Sequence, residues 1–309
     1  MRIVFMGSPD AAVPSLEHLV LNGYGVIAVY TQPDRPAGRG RGLLPPPVKE
    51  TALRLGLPVL QPAALKTGEV LERLAELNPD VIVICAYGQI LPQAVLDIPP
   101  RQCINVHFSL LPRHRGASPV AAAILAGDEY TGVSTQLVRE KLDTGPLLAS
   151  AAVPISASDN TGTLTARLAL VGAHLLQESL TGWLRGEIAP RPQDEAAESY
   201  SGRIKKEDGY IDWRLPAEVI WRRIRALNPW PGCYTTWRGK QLKINEAVVL
   251  PGKAGIGSVV GMAGEVGVGV GAGEGILGIK MLQLEGRKAM SAGEFLRGQR
   301  DFVGSSLPG

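Results

Sequence analysis

Apolar positions in the first half of the chain switch repeatedly between two spacings. Ile3 to Met6 is a short apolar run that stops at Gly7-Ser8-Pro9-Asp10, after which Val13, Leu16, Leu19 and Val20 recur at helical intervals. Val26 to Tyr30 predicts a second strand, residues near 48–55 a helix, Val59-Leu60 a short third strand, and about 66–77 another helix. Val81-Ile82-Val83-Ile84 is apolar at every position, as a strand buried on both faces would be, and Cys103 to His107 forms a further strand. This alternation predicts an α/β domain built on a doubly wound, mostly parallel sheet.

Gly132 to Thr135 and Pro146 to Val153 predict an antiparallel pair, and a long helix over about 161–184 carries Leu164, Leu168, Leu175, Leu176 and Leu180 on one stripe. Ala189-Pro190-Arg191-Pro192 and the polar residues after it read as a linker. Beyond it a helix opened by Pro216 precedes short strands and turns. Residues 252–278 hold 11 glycines, and Val266 to Val270 alternates Val with Gly, so valines face one side and glycines the other. A small β-barrel is expected there. The division is therefore 1–189 for a first domain, 190–207 for a linker and 208–309 for a C-terminal domain.

Composition fits two soluble domains: 309 residues, 45% apolar and 20% charged. The net charge of +3 conceals an asymmetry. Residues 1–202 carry 16 Lys/Arg against 19 Asp/Glu, and residues 203–309 carry 16 against 10. A basic final third suits a polyanionic partner, nucleic acid first, or is a domain that is merely basic. Three cysteines make no disulfide framework and fit a reducing cytosol. The opening residues have no signal-peptide pattern, and no apolar run is long enough to span a bilayer, so a cytoplasmic protein without a membrane contact is expected. Four scattered histidines offer no metal constellation, so no metal is expected.

Chemistry concentrates in Ile104 to Gly116. Alternation puts Asn105 and His107 on one face of a strand, just where it ends in a loop. Ligands in open α/β sheets bind beyond the carboxyl ends of strands. An amide and an imidazole there can stabilise an oxyanion, or can simply be buried groups that satisfy their own hydrogen bonds. Asp143, in the turn Leu142-Asp143-Thr144-Gly145, is a carboxylate able to hold the imidazole's tautomer, or an ordinary turn aspartate. With no nucleophilic Ser or Cys evident, the set suits direct transfer to an incoming amine better than a covalent acyl-enzyme.

Asn105-Val106-His107, then Ser109-Leu110-Leu111-Pro112 with Arg115-Gly116, then Leu142-Asp143-Thr144-Gly145, resembles the signature of the 10-formyltetrahydrofolate-dependent formyltransferases. The resemblance implies a Rossmann-like catalytic domain, an OB-like C-terminal barrel, and Asn105, His107 and Asp143 as a catalytic triad. It implies 10-formyltetrahydrofolate as formyl donor, held by Ser109, Leu110, Leu111 and Pro112 and by a second segment, Ala86 to Pro92, through Tyr87, Gly88, Ile90 and Leu91. Thr31 to Gly42 with Pro47-Val48-Lys49 resembles the loop that the methionyl-tRNA formyltransferase family inserts after its second strand. Asp212-Trp213, Ile224 to Gly232 and Lys288 to Ser291 resemble that family's tRNA-binding domain. The implied partner is methionylated initiator tRNA, met by a monomer. The cations expected to face it are Arg35, Arg39, Arg41 and Lys49 in the loop and Lys205, Lys206, Arg222 and Arg223 in the C-terminal third.

Three positions depart from the family's habit: Phe108 where a small residue is usual, His114 where an aromatic is frequent, and the glycines of 261–275. Gly7-Ser8-Pro9-Asp10-Ala11-Ala12 lacks G-x-G-x-x-G, which argues against a dinucleotide enzyme. Other folate formyltransferases, and a tRNA-binding module without catalysis, are the rival classes. The loop and the intact triad argue against each in turn.

Overall fold

The computed structural model describes residues 1–37, 42–264 and 266–309. The chain divides into two compact units. The first comprises Met1–Pro119, Tyr130–Pro154 and Thr165–Ser201, and the second Val120–Glu129, Ile155–Leu164 and Gly202–Gly309.

The first unit is built on a seven-stranded sheet. Its strands run in the order Leu147–Pro154, Tyr130–Leu137, Cys103–His107, Val81–Cys85, Arg2–Gly7, Gly25–Tyr30, Val59–Leu60. The last five pair in parallel, and the first two form an antiparallel hairpin on one edge. Val81 to Cys85 is buried throughout, as a run with no polar face requires. Val4, Met6, Ala28, Tyr30, Ile82 and Ile84 pack with Leu65, Leu74 and Val95 in one core cluster. The helix Thr161–Leu184 has the expected bounds.

Within the second unit lies an antiparallel sheet: Cys233–Trp237, Lys240–Leu250, Ile276–Leu284, Val268–Gly271, Val259–Gly261, with Met290–Ser291 on Ile276–Leu284. The strands bury Leu242, Ile244, Val268, Val270, Leu277, Ile279 and Leu282 with Trp213, Ile220 and Ile224. The glycine-rich stretch thus contributes strands, as expected, and both faces of Val268–Gly271 are covered. Val268, Gly269, Val270 and Gly271 are all buried, and a Cβ on Gly269 would lie 2.6 Å from Ile276. Glycine is there because a neighbouring strand's side chain crosses over it.

The expected linker begins too early. Residues 190–201 fold back onto the first unit, because Arg191 and Leu147 exchange main-chain hydrogen bonds of 2.9 and 2.7 Å and Tyr200–Ser201 pairs with Arg115–Gly116. Residues 120–129 and 155–164, expected in the first domain, belong to the second unit, where Arg225 donates to Asp159 O at 2.7 Å and Thr161 to Ala226 O at 2.6 Å.

Candidate active site

Cys103–His107 lies between Val81–Cys85, parallel to it, and Tyr130–Leu137, antiparallel to it. Its register sets Asn105 opposite Gln136 and His107 opposite Ser134. Asp143 comes from the turn joining Tyr130–Leu137 to Leu147–Pro154, so the hairpin on the sheet edge delivers a carboxylate to the strand beside it.

The structure brings Asn105, His107 and Asp143 together. Asp143 Oδ1 accepts from Gln136 Nε2 at 3.1 Å and from Asn105 Nδ2 at 3.5 Å. Its Oδ2 accepts from the Gly116 amide at 2.9 Å and lies 3.6 Å from His107 Nδ1, with both side chains only 7% exposed. A buried carboxylate that meets three N–H donors is an acceptor held in one direction. His107 Nε2 lies 3.1 Å from the His114 carbonyl, which can only accept, so that nitrogen carries a hydrogen. Asn105 is half-buried.

The Ser109–Pro112 loop is braced from below. Ser134 Oγ donates to Ser109 O at 2.8 Å and accepts from Leu111 N at 3.1 Å. The Ser109 hydroxyl is turned inward onto Arg113 O at 2.6 Å. Leu111 is buried, and Leu110 covers Gly132, where a Cβ would meet it at 2.6 Å. Half-buried Pro112 and the loop's main chain are what this segment offers a ligand. Phe108 does not crowd it. Its ring is buried beside Gly172, whose added Cβ would stand 3.4 Å away.

The second expected folate segment leaves Val81–Cys85 at the same end of the sheet, since Cys85 pairs with Val106. Tyr87 is buried, and its carbonyl accepts from Ser8 Oγ at 3.1 Å and Gln32 Nε2 at 3.2 Å. Burial pushes its phenol up, so Tyr87 contributes a neutral prop and not a solvent-facing hydroxyl. Gly88 turns the chain at φ +82, which glycine adopts without strain. Ile90 is 84% exposed, a large apolar side chain left in water, and Leu91 beside it is half-buried. An apolar ring system would cover such a surface favourably.

The basic residues fall into several cases. Arg39 and Arg41 lie outside the described residues. Arg35 is exposed on a short ribbon in which Arg35–Ala37 pairs with Gly42–Leu44. The loop therefore has a hydrogen-bonded stem. Lys49 is committed to Asp34, with Nζ contacts of 2.7 and 2.9 Å, and Gln61 donates to the same carboxylate at 2.7 Å. Hydrogen bonds from Gln61 and then Lys49 hold the Asp34 carboxyl below its usual range. Lys49 thus anchors the base of the loop. In the second unit Lys205 and Lys206 are exposed. Arg222 bonds Glu218 at 3.2 Å and packs over Gly127, and Arg223 donates to Asp208 O. These two arginines are half-buried and already hold their own unit's backbone.

Sequence reasoning missed Gln136, Ser134 and Gln193, and gave Arg115 only as part of a motif, with no role. Gln136 had a signal, being a buried polar residue on the strand that pairs with Asn105. Gln193 had none, since it stands in a stretch that reads as linker.

The family model described as formyl transferase matches residues 1–180, and that of the formyl transferase C-terminal domain matches 203–300. A methionyl-tRNA formyltransferase of Dehalococcoides mccartyi is 51% identical over 312 residues, covering 99% of this chain and 98% of its own. One from Citrifermentans bemidjiense is 47% identical, covering 99% and 96%. Among solved structures, an N-formyltransferase from Helicobacter canadensis, in complex with folinic acid and dTDP-3-aminofucose, superposes with a TM-score of 0.68 at 18% identity, over 93% of this chain and 99% of its own. HypX from Aquifex aeolicus in complex with tetrahydrofolic acid gives 0.65 at 18% identity, over 98% of this chain and 47% of its own. These two speak for the fold alone, whereas the near-half-identical relatives match end to end, and on that ground the chain belongs to the methionyl-tRNA formyltransferase family.

Proposed function

We propose that the chain moves the formyl group of 10-formyltetrahydrofolate to the free amino group of methionine on initiator tRNA, giving N-formylmethionyl-tRNA. The observation that carries the mechanism is the convergence of Asn105, His107 and Asp143 where the central strands end. The neutral amine attacks the formyl carbon, and the carbonyl oxygen becomes an oxyanion. The half-exposed Asn105 amide and the N–H of His107 stabilise it. His107 exchanges a hydrogen bond to the neutral His114 carbonyl for a stronger, charge-assisted one, so the gain is larger in the transition state than in the ground state. Asp143 keeps the imidazole oriented. Directly or through a water, it passes the amine's proton toward the leaving folate nitrogen. The tetrahedral adduct then collapses, the bond from carbon to the folate nitrogen breaks, and tetrahydrofolate leaves.

The folate segments are Ala86–Pro92, with exposed Ile90, and the main chain of Ser109–Pro112 with Pro112 itself. No metal enters the reaction. Arg35, on a hydrogen-bonded ribbon whose base Lys49 anchors, meets the acceptor end of the tRNA; Arg39 and Arg41 add to this recognition, and Arg39 helps tell initiator from elongator. Lys205 and Lys206, with lesser help from Arg222 and Arg223, meet phosphates. Charged tRNA as substrate places the work in the cytoplasm, and one chain carries every part named, so a monomer suffices. Single-turnover transfer of labelled formyl to methionyl-tRNA tests the reading. Wild type should label the methionine, and His107→Ala should bind both substrates and transfer at least about a hundredfold more slowly. Equal rates would overturn it.

A further inference from the structure

Asp143 sits in a turn that something must hold. Its φ is +54, which L residues rarely adopt, and Gly145 two residues on has no room for a side chain, since a Cβ would stand 1.6 Å from Leu137 O. The holder is Gln193. Its amide nitrogen faces Asp143 O at 2.9 Å, Gly145 O at 2.7 Å and Gln136 Oε1 at 3.2 Å. Its oxygen accepts from Arg115 Nε at 3.1 Å and Nη2 at 2.8 Å. Arginine only donates and carbonyls only accept, so the amide can lie in one orientation only.

Arg115 has 0% side-chain exposure, and its remaining nitrogen is met by the Glu198 carboxylate and by Tyr200 Oη at 3.3 Å. Its main-chain amide donates to Ser199 O at 2.8 Å, and the next amide, Gly116 N, donates to Asp143 Oδ2 at 2.9 Å. Residues 193–201 and Arg115 therefore fix Asp143 twice, at its peptide and at its carboxylate.

We infer that Gln193, backed by Arg115, is a positioning residue for formyl transfer: it aims the Asp143 carboxylate at His107 and touches no substrate itself. This rests on the reading of Asn105, His107 and Asp143 as the catalytic set. Its effect must pass through Asp143, so it should appear in kcat and not in binding.

The test is a double-mutant cycle. Gln193→Ala and Gln193→Glu are made in wild type and in Asp143→Asn, and transfer of labelled formyl to methionyl-tRNA is followed with both substrates varied. Gln193→Glu retains an acceptor for Arg115 and lacks the N–H groups for the two carbonyls, so it decides the matter even if Gln193→Ala melts. In wild type each change should lower kcat about tenfold or more with either KM moved less than about twofold. In Asp143→Asn the same change should cost less than about twofold more. A Gln193→Glu enzyme with wild-type kcat, or effects that multiply with Asp143→Asn, would overturn the inference while leaving an inactive Asp143→Asn to support the catalytic set. An Asp143→Asn enzyme of wild-type rate would instead remove that set.

Discussion

Asn105 and Gln136 stand opposite each other across an antiparallel pair, and each points an amide nitrogen at the same oxygen of Asp143, at 3.5 and 3.1 Å. Gln136 makes the shorter contact and is buried, while Asn105 is half-exposed. The two carboxamides thus divide the work. Gln136 holds the carboxylate, and under the proposed mechanism Asn105 keeps a second N–H for the developing oxyanion.

Gln136→Leu should therefore lower kcat about tenfold, as a lost donor to a charged group does. Gln136→Glu should do more harm, because it sets a second carboxylate against Asp143 in a buried place. Steady-state kinetics on methionyl-tRNA with a thermal melt of each variant checks this. A Gln136→Glu enzyme faster than Gln136→Leu would mean that the contact is not an acceptor held by a donor.

Asn105→Ala should lose about two orders of magnitude or more in kcat, the usual effect of removing an oxyanion donor. Tetrahydrofolate affinity, read by equilibrium binding, should change less than about threefold, since Asn105 is proposed to act on the developing oxyanion and the folate is proposed to be held by other residues. Matched losses in affinity and rate would place Asn105 in folate binding.

Gly145→Ala should be costly to the fold itself. With a Cβ only 1.6 Å from Leu137 O, the hairpin must open, at a cost of at least about 2 kcal/mol. Denaturant unfolding should show a lowered midpoint with an unchanged slope. Wild-type stability would mean that the turn can open around a side chain at no cost, against the close approach of Leu137 O to Gly145.

Cys85, Cys103 and Cys233 are buried, and burial pushes each thiol up to about 12. Iodoacetamide at pH 8 should leave all three unmodified in the folded protein and alkylate all three in guanidinium, where thiols return to about 8.5. The folded pKa values are raised, so this stabilising contribution is fully present below the unfolded thiol value. It is lost as pH rises from about 8.5 toward 12. Midpoints of denaturation at pH 7.5 and 10.5 should show the loss, and rapid alkylation of a native thiol would contradict it.

Much of this was legible in the chain because it depends on local period. Alternation places Asn105 and His107 on one face, and the apolar run Val81 to Ile84 announces a strand covered on both sides. Asp143 was legible through its motif, since its partner on the neighbouring strand is set by register. What escaped was long-range. Gln193 is 50 residues from the Asp143 carbonyl it holds, and Glu198 is 83 from Arg115, so nothing near either residue marks it. The covering of the glycine face in the second unit escaped for the same reason. The alternation of Val with Gly fixes which residues share a face, and only the path of Ile276 decides that the glycine face is covered too.

The reaction proposed for this chain is direct formyl transfer to methionine on initiator tRNA, with Asn105, His107 and Asp143 acting on the adduct. It is tested most directly by offering labelled 10-formyltetrahydrofolate to the full chain with four acceptors in parallel: charged initiator tRNA, charged elongator tRNA, an amino sugar nucleotide, and water alone. Label is expected on the methionine of initiator tRNA, with much less on elongator, none on the sugar nucleotide, slow release to water, and near-complete loss of tRNA labelling in Asp143→Asn. Label appearing chiefly on the amino sugar nucleotide or in free formate, with initiator tRNA unlabelled, would contradict it.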